Sequence, residues 1–290
     1  MQGIYNILVT PLTKEGEVDE TSLRNLVDFQ ISTGIEGLTI VAILGEGQKL
    51  TDSEWAQVVD VVIDQAKDRV PVIVTVTHQS TKIVVDRIKQ ATEAGAAGIM
   101  AAPPMNLKNL DAVGDFYRIV GEASSLPVVV QDEPATTGVI MPASFLANTG
   151  HSIIKLEEAP VPQKITRILQ NNPDMKIFGG LGAQYFLEEL DRGAVGTMTG
   201  FSMTEVLVSI YNDYVSGKKE QAAETFFKHI PLIRFEFQVG VGLAIRKEVL
   251  RRRGIIASAE IRSPGMRMDA QSQEELTRVL DLVGLSTSVA

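Results

Sequence analysis

A chain of 290 residues that is 44% hydrophobic and 22% charged holds enough apolar material for one large or two medium globular domains. Its 36 acidic residues against 27 basic ones, a net −9, argue against a nucleic-acid partner, which calls for a basic stripe or patch. The absence of cysteine excludes disulfides, thiolate catalysis and cysteine-bound metal, and the three histidines are too dispersed for a zinc-binding helix motif. No apolar run reaches the roughly 18–20 residues of a membrane span, and Met1-Gln2-Gly3-Ile4-Tyr5 carries no signal-peptide pattern. The expectation is a cytoplasmic enzyme with no membrane or nucleic-acid partner.

In chain order, short β-branched runs fall at residues 4–10, 37–43, 71–77, 97–102, 127–131, 152–157, 176–180 and 194–199. Stretches of helical length separate them. In 51–67, for instance, Trp55, Val58, Val59, Val62 and Ile63 recur at helical spacing behind the capping box Thr51-Asp52-Ser53-Glu54. Three runs are entered through one kind of turn, Gly34-Ile35-Glu36-Gly37, Gly95-Ala96-Ala97-Gly98 and Gly193-Ala194-Val195-Gly196. A left-handed glycine ending a helix shortly before a strand is ordinary αβ-loop chemistry. Near-continuous Val/Ile strands alternating with helices mean a parallel sheet buried on both faces. Eight such units in about 200 residues predict a closed (β/α)8 TIM barrel, with its chemistry at the C-terminal strand ends. A doubly wound sheet is the alternative, but its G-x-G-x-x-G fingerprint is missing. Helical patterns at 204–215, 218–227, 231–253 and 272–283 predict helix eight and a C-terminal helical extension, dividing the chain into a barrel over 1–220 and an extension over 221–290. Arg251-Arg252-Arg253 reads as a solvated helix end whose cations oppose the macrodipole.

Lys155 follows Ser152-Ile153-Ile154 inside the sixth run. A charged amine there is costly unless it sits at the barrel mouth or is kept neutral. Apolar walls or neighbouring cations favour the free amine, which is a nucleophile. From spacing alone, a strand-end lysine reaching solvent is an equal alternative. Strand alternation sets Glu157 on the Lys155 face, either as a structural ion-pair partner or as an acid/base partner.

Almost end to end, the chain resembles the Schiff-base lyases of the dihydrodipicolinate synthase and N-acetylneuraminate lyase superfamily. The resemblance rests on Thr10-Pro11-Leu12, Gly45-Glu46 with Leu50-Thr51, Pro71-Val72-Ile73-Val74, and Pro134 with Thr137-Gly138. Ile153-Ile154-Lys155, the Gly193–Gly196 turn and Arg262-Ser263-Pro264 complete it. It implies that Lys155 forms an imine with the ketone of pyruvate or another small-molecule 2-keto acid, that no metal or organic cofactor is needed, and that the protein is a homotetramer or homodimer.

The departures are equally informative. Where synthases and aldolases of the family carry a relay tyrosine after strand five, this chain has Gln131; the second relay tyrosine falls at Met105. Both hydroxyls of the usual Gly-Thr-Thr-Gly-Glu segment are replaced, by Ile43 and Leu44, and the synthase's substrate arginine falls at Thr136. The L-2-keto-3-deoxyarabonate dehydratase branch is similar at Val130-Gln131-Asp132-Glu133-Pro134, Thr75-Val76-Thr77-His78, Lys155-Leu156-Glu157 and Gly196-Thr197-Met198-Thr199-Gly200. The resemblance therefore implies a dehydratase acting on a 2-keto-3-deoxy sugar acid or similar 2-keto acid. In it Lys155 is the nucleophile, Glu157 the acid/base group and Gln131 the holder of substrate or water. A pyruvate-releasing aldolase is the alternative, and a non-catalytic keto-acid-binding barrel the more distant one. Ile43, Leu44 and Met105 predict a pocket more apolar than a sugar acid needs. His78 at the end of strand three binds a substrate hydroxyl or is structural. Thr197 and Thr199 are carboxylate donors or ordinary strand formers, Gly179-Gly180 admits a carboxylate to backbone N–H groups, and Glu46 reads as a cap of the helix after strand two rather than a substrate contact.

Overall fold

Side-chain alternation along eight short parallel strands separates an inner apolar shell from an outer one. The computed structural model describes residues 1–285. The strands are β1 (Gly3–Ile7), β2 (Gly37–Ile40), β3 (Val72–Thr75), β4 (Gly98–Ala101), β5 (Val128–Asp132), β6 (Ile153–Leu156), β7 (Lys176–Gly179) and β8 (Gly196–Thr199). They pair in sequence order and close into a barrel through β8 and β1, which excludes the doubly wound sheet. Tyr5, Ile73, Met100, Val129, Ile153, Phe178 and Met198 fill the barrel, while neighbours one residue away, such as Val72, Val74, Val128, Val130, Ile154 and Leu156, face the helices. Because Ile153 points inward, so does Lys155, and because Val129 points inward, so does Gln131. Gln131 and Lys155 are register partners on β5 and β6.

Helices α1 (Glu20–Ser32), α2 (Asp52–Ala66), α3 (Thr81–Ala94), α4 (Leu110–Ala123), α5 (Pro134–Thr137), α6 (Ala143–Leu146), α7 (Val161–Asn171), α8 (Phe186–Asp191) and α9 (Thr204–Val215) surround the barrel. The Thr51/Glu54 capping box starts α2 as expected. Gly34, Gly95 and Gly193 take φ of 86°, 96° and 93°, the left-handed turn that their spacing predicted.

Beyond α9 lie α10 (Lys219–Glu236), α11 (Gly242–Arg252) and α12 (Ala270–Val283). Here the sequence reading needs three corrections. The expected division at 220/221 falls inside the first turn of α10. The two helices expected at 218–227 and 231–253 divide elsewhere, because α10 runs through Pro231 and the break comes at Gln238–Val241, where Gly240 takes φ of 85°. A proline removes one ladder donor, that to the carbonyl four residues back, and here that residue is the exposed Phe227. The arginine run is not merely solvated. Arg251 and Arg252 bond Glu248, Arg252 also reaches Gln273 and Thr277, and Arg253 bonds Ser202 O and Glu205 and stacks over Phe29.

The extension is locked onto the barrel mouth by a buried ion pair. Lys247 Nζ on α11 donates to Glu46 Oε2 at 2.7 Å, the side chains being 0% and 1% exposed. Glu46 also accepts from the backbone N–H of Arg262 at 3.0 Å, and Arg262 in turn bonds Glu54. Removing one partner of such a pair leaves an uncompensated buried charge. Lys247→Met should lower the unfolding free energy by about 3–5 kcal/mol in urea titrations. The Glu46→Gln/Lys247→Met double variant should recover part of that loss; losses of the two single variants that simply add in the double variant would mean that the pair is not coupled.

Candidate active site

At the C-terminal strand ends lies a cavity of about 330 Å³, in the range of small-molecule sites. Its floor is Lys155, Glu157 and Gln131. Lys155 is 2% exposed, and its Nζ donates to Glu157 Oε2 at 2.5 Å. Gln131 Nε2 donates to the same oxygen at 3.1 Å. Glu157 is the first residue beyond β6, and its N–H donates to Asp132 O at 2.8 Å, so strand pairing fixes where its side chain starts. Two donors on one oxygen leave Oε1 without a protein partner among the described residues.

Behind the floor, Asp132 is fully buried and accepts from Lys164 Nζ at 2.6 Å; Lys164 also bonds Glu158. Burial pushes the Asp132 carboxyl up to about 6 against the pull of Lys164, with Glu158 and Glu157 adding to the rise. Glu133 lines the cavity and caps α5 by accepting from the Thr136 N–H at 2.9 Å. Burial raises it, as does the neighbouring Glu157.

Ile43 and Leu44 line the cavity, with Lys155, Glu157 and Gln131, as the sequence predicts. The other expected residues lie elsewhere. Thr197 does not line it: Met198 faces the barrel interior, so Thr197 faces the helices, fully buried and with its hydroxyl unpartnered, whereas Thr199 reaches the cavity wall. His78 is outside the cavity, its Nδ1 accepting from the Ser80 N–H at 2.9 Å in the turn before α3. Met105 is 48% exposed on the loop after β4 and does not line the cavity. Contrary to the sequence reading, Glu46 does not cap the helix after β2; Thr51 does, and Glu46 instead pairs with Lys247 and the Arg262 N–H while bordering the cavity.

The glycine pair after β7 does admit carboxyl groups, but they are the protein's own. A Cβ on Gly180 would lie 2.5 Å from Glu157 Cγ, and one on Gly179 would lie 1.7 Å from Glu189 Oε2. Glu189, on α8, is fully buried, and among the described residues neither of its oxygens has a partner of good hydrogen-bond geometry. Burial pushes it up to about 8, helped by Glu157 and Glu188 and opposed by the Gly180 N–H.

Sequence reasoning missed the wall supplied by the extension: Glu236, Phe237, Gln238, Leu243 and Arg246. A signal was present. Gly242, Ile245, Arg246, Val249 and Leu250 stand at i, i+3, i+4, i+7 and i+8, so Arg246 interrupts an otherwise apolar helix face. None of the five tyrosines lines the cavity: Tyr5 packs on Phe178 in the barrel, Tyr117 is buried with its hydroxyl on Ala101 O, and Tyr185 is exposed.

A closed parallel barrel whose mouth holds a buried lysine against a glutamate is the arrangement of a lysine Schiff-base lyase. Comparison with known proteins agrees: residues 1–282 match the model of the dihydrodipicolinate synthetase family, and the chain belongs to that family. It is an enzyme of the Schiff-base lyase class. It is 30% identical to an L-2-keto-3-deoxyarabonate dehydratase from Azospirillum brasilense, over 96% of this chain and 93% of the other. It is 28% identical to a 4-hydroxy-tetrahydrodipicolinate synthase from Syntrophus aciditrophicus, over 98% and 99%. Among solved structures, a dihydrodipicolinate synthase from Rhodopseudomonas palustris is 33% identical and superposes with a TM-score of 0.92, covering 97% of each chain. Among the described residues no helix is long and apolar enough to cross a membrane.

Glu189 yields a test of the site's electrostatics. Its folded-state pKa lies above the usual carboxylate value, so the folded state binds more protons than the unfolded one between about pH 4.3 and about 8. Its contribution to stability is therefore complete at acid pH and is lost as pH rises through that window. Glu189→Gln removes the ionisation, so urea unfolding at pH 5 and pH 8 should show the variant gaining on the wild type as pH rises. A stability difference that does not change with pH would mean that Glu189 ionises normally.

Proposed function

We propose that this enzyme dehydrates a 2-keto-3-deoxy sugar acid, with Lys155 as the imine-forming nucleophile and Glu157 as the acid/base group. The observation that carries the reading is the Lys155–Glu157–Gln131 constellation at the floor of a cavity that no tyrosine lines. The free amine of Lys155 adds to the C2 ketone, and the carbinolamine, protonated on its hydroxyl by Glu157, loses water to give a protonated imine, an electron sink for C3. Glu157 takes the C3 proton and an enamine forms. With Oε2 held by Lys155 and Gln131, Oε1 is the oxygen left to carry that proton. Glu157 then delivers it to the C4 hydroxyl, which departs as water as the enamine electrons close the C3–C4 double bond. Hydrolysis of the conjugated imine consumes the water released when the imine formed and frees Lys155, so the net reaction is the loss of one water from C3 and C4.

The tyrosine-free cavity favours this reading over the synthase reaction for which several relatives are named. The similarity to the Azospirillum dehydratase supports it as well. A homotetramer or homodimer belongs to the same proposal. Met105 and Ile140, 48% and 65% exposed on adjoining loops, are apolar surface suited to a subunit contact.

The deciding experiment is a panel of 2-keto-3-deoxy acids scored for water loss against pyruvate release. Water loss should dominate; pyruvate release would establish an aldolase instead. Borohydride reduction with pyruvate should add the reduced ligand mass at Lys155, and Lys155→Ala should form no adduct and turn over nothing. Glu157→Gln should still be trapped as the reduced adduct while turnover falls by at least about 10². An unchanged maximal rate in Glu157→Gln would remove Glu157 from the chemistry. Condensation of pyruvate with aspartate semialdehyde should be negligible.

A further inference from the structure

Among the described residues, the arginines of the extension that are at least partly buried use their terminal nitrogens to tie the chain together, with one exception. Arg252 spends both on Thr277 and Gln273, Arg253 on Ser202 O and Glu205, and Arg262 on Glu54 and Gly16 O. Arg246 differs. It is 8% exposed, its Nε donates to Gly200 O at 2.8 Å, and Glu236 Oε2 stands 3.3 Å from that same nitrogen. Among the described residues Nη1 and Nη2 have no protein acceptor, yet the side chain lines the cavity that holds Lys155. Room for the guanidinium comes from two glycines, since a Cβ on Gly242 or Gly182 would lie 3.2 Å from Nη1 or 3.3 Å from Nη2. Glu236 is itself fully buried and held by Ser202, so it fixes the Nε edge and leaves the other edge turned to the cavity.

We propose that Arg246 is the distal anchor of the cavity and that the substrate is a 2-keto-3-deoxy acid ending in a second carboxylate. This rests on the imine chemistry at Lys155 for the near end of the substrate. The far end follows from donor counting. The free edge of a guanidinium offers two parallel N–H groups, which match the two oxygens of a carboxylate, whereas an alcohol occupies only one. Of the other cations lining the cavity, Lys155 is held by Glu157, and Lys49 by Glu46 and the Arg262 carbonyl. The size agrees. About 330 Å³ holds roughly eleven waters at about 30 Å³ each, far more than a pyruvate unit fills.

Two matched pairs of ligands test this on the wild-type enzyme. Trapped with borohydride, 2-oxoadipate should half-saturate Lys155 at a concentration at least about tenfold below 2-oxohexanoate, which differs only in lacking the far carboxylate. By calorimetry, adipate should likewise bind more tightly than hexanoate, without any imine. Arg246→Met should abolish both preferences, and Arg246→Lys should restore them in part. Equal or weaker binding of the diacids to wild type would overturn the anchor, and needs no variant to fold. If no keto acid is trapped, the imine reading fails, while the adipate and hexanoate comparison still decides the anchor.

Discussion

The catalytic mouth of this barrel depends on one ion pair that water does not reach. Glu46 follows β2 and Lys247 lies on α11, some 200 residues later, and their contact joins the strand-end loops to the helical extension. Because neither charge tolerates burial alone, the loop and the helix are stable only together. Around that fixed point Arg252 of α11 binds α12, Arg253 just beyond it binds Glu205 of α9 and Ser202 in the loop before α9, and the Gln238–Arg246 segment comes to rest over the strand ends as a wall of the cavity. The extension is thereby a part of the site rather than an appendage.

A second constraint is the crowding of carboxyl groups around the ends of β5 to β7. Asp132, Glu133, Glu157 and Glu189 meet there with two buried lysines, Lys155 and Lys164. They are kept apart by backbone rather than by solvent. Asp132 pairs with Lys164 on the outer side and Glu157 with Lys155 on the inner side, and the bare Gly179-Gly180 backbone separates Glu157 from Glu189. Burial raises Asp132, Glu133 and, above all, Glu189, which limits how much negative charge accumulates beside the lysine.

Period-2 and period-3.6 patterns are local signals, and they carried the barrel, its eight units and the three glycine turns. Alternation likewise set Glu157 on the Lys155 face, and an inward-facing Ile153 turns both toward the mouth, whereas Gln131 was legible only through the family resemblance. The same rule misled for Thr197, since nothing in Gly196–Thr199 says which parity faces inward until Met198 is seen in the barrel. His78 and Met105 lie on loops, where no period applies and the path is set by turn hydrogen bonds such as Ser80 N–H to His78. The extension's contribution was illegible for a different reason. The Gln238–Val241 break depends on how α10 docks, and Pro231, the obvious breaker in the sequence, lies where the helix tolerates it.

The far wall and the chemical floor of the cavity are written in separate parts of the chain, Gln238 to Arg246 against Gln131 to Glu157. They meet only in space. In a duplicated gene, point changes at Gln238, Leu243 or Arg246 reshape the wall without altering the register of β5 and β6 or the lysine that those strands orient. Such a lineage has a short mutational route to a reshaped cavity in which every intermediate retains Lys155 in place, and this economy comes from placing the far wall and the lysine floor on elements that share no backbone hydrogen bonds.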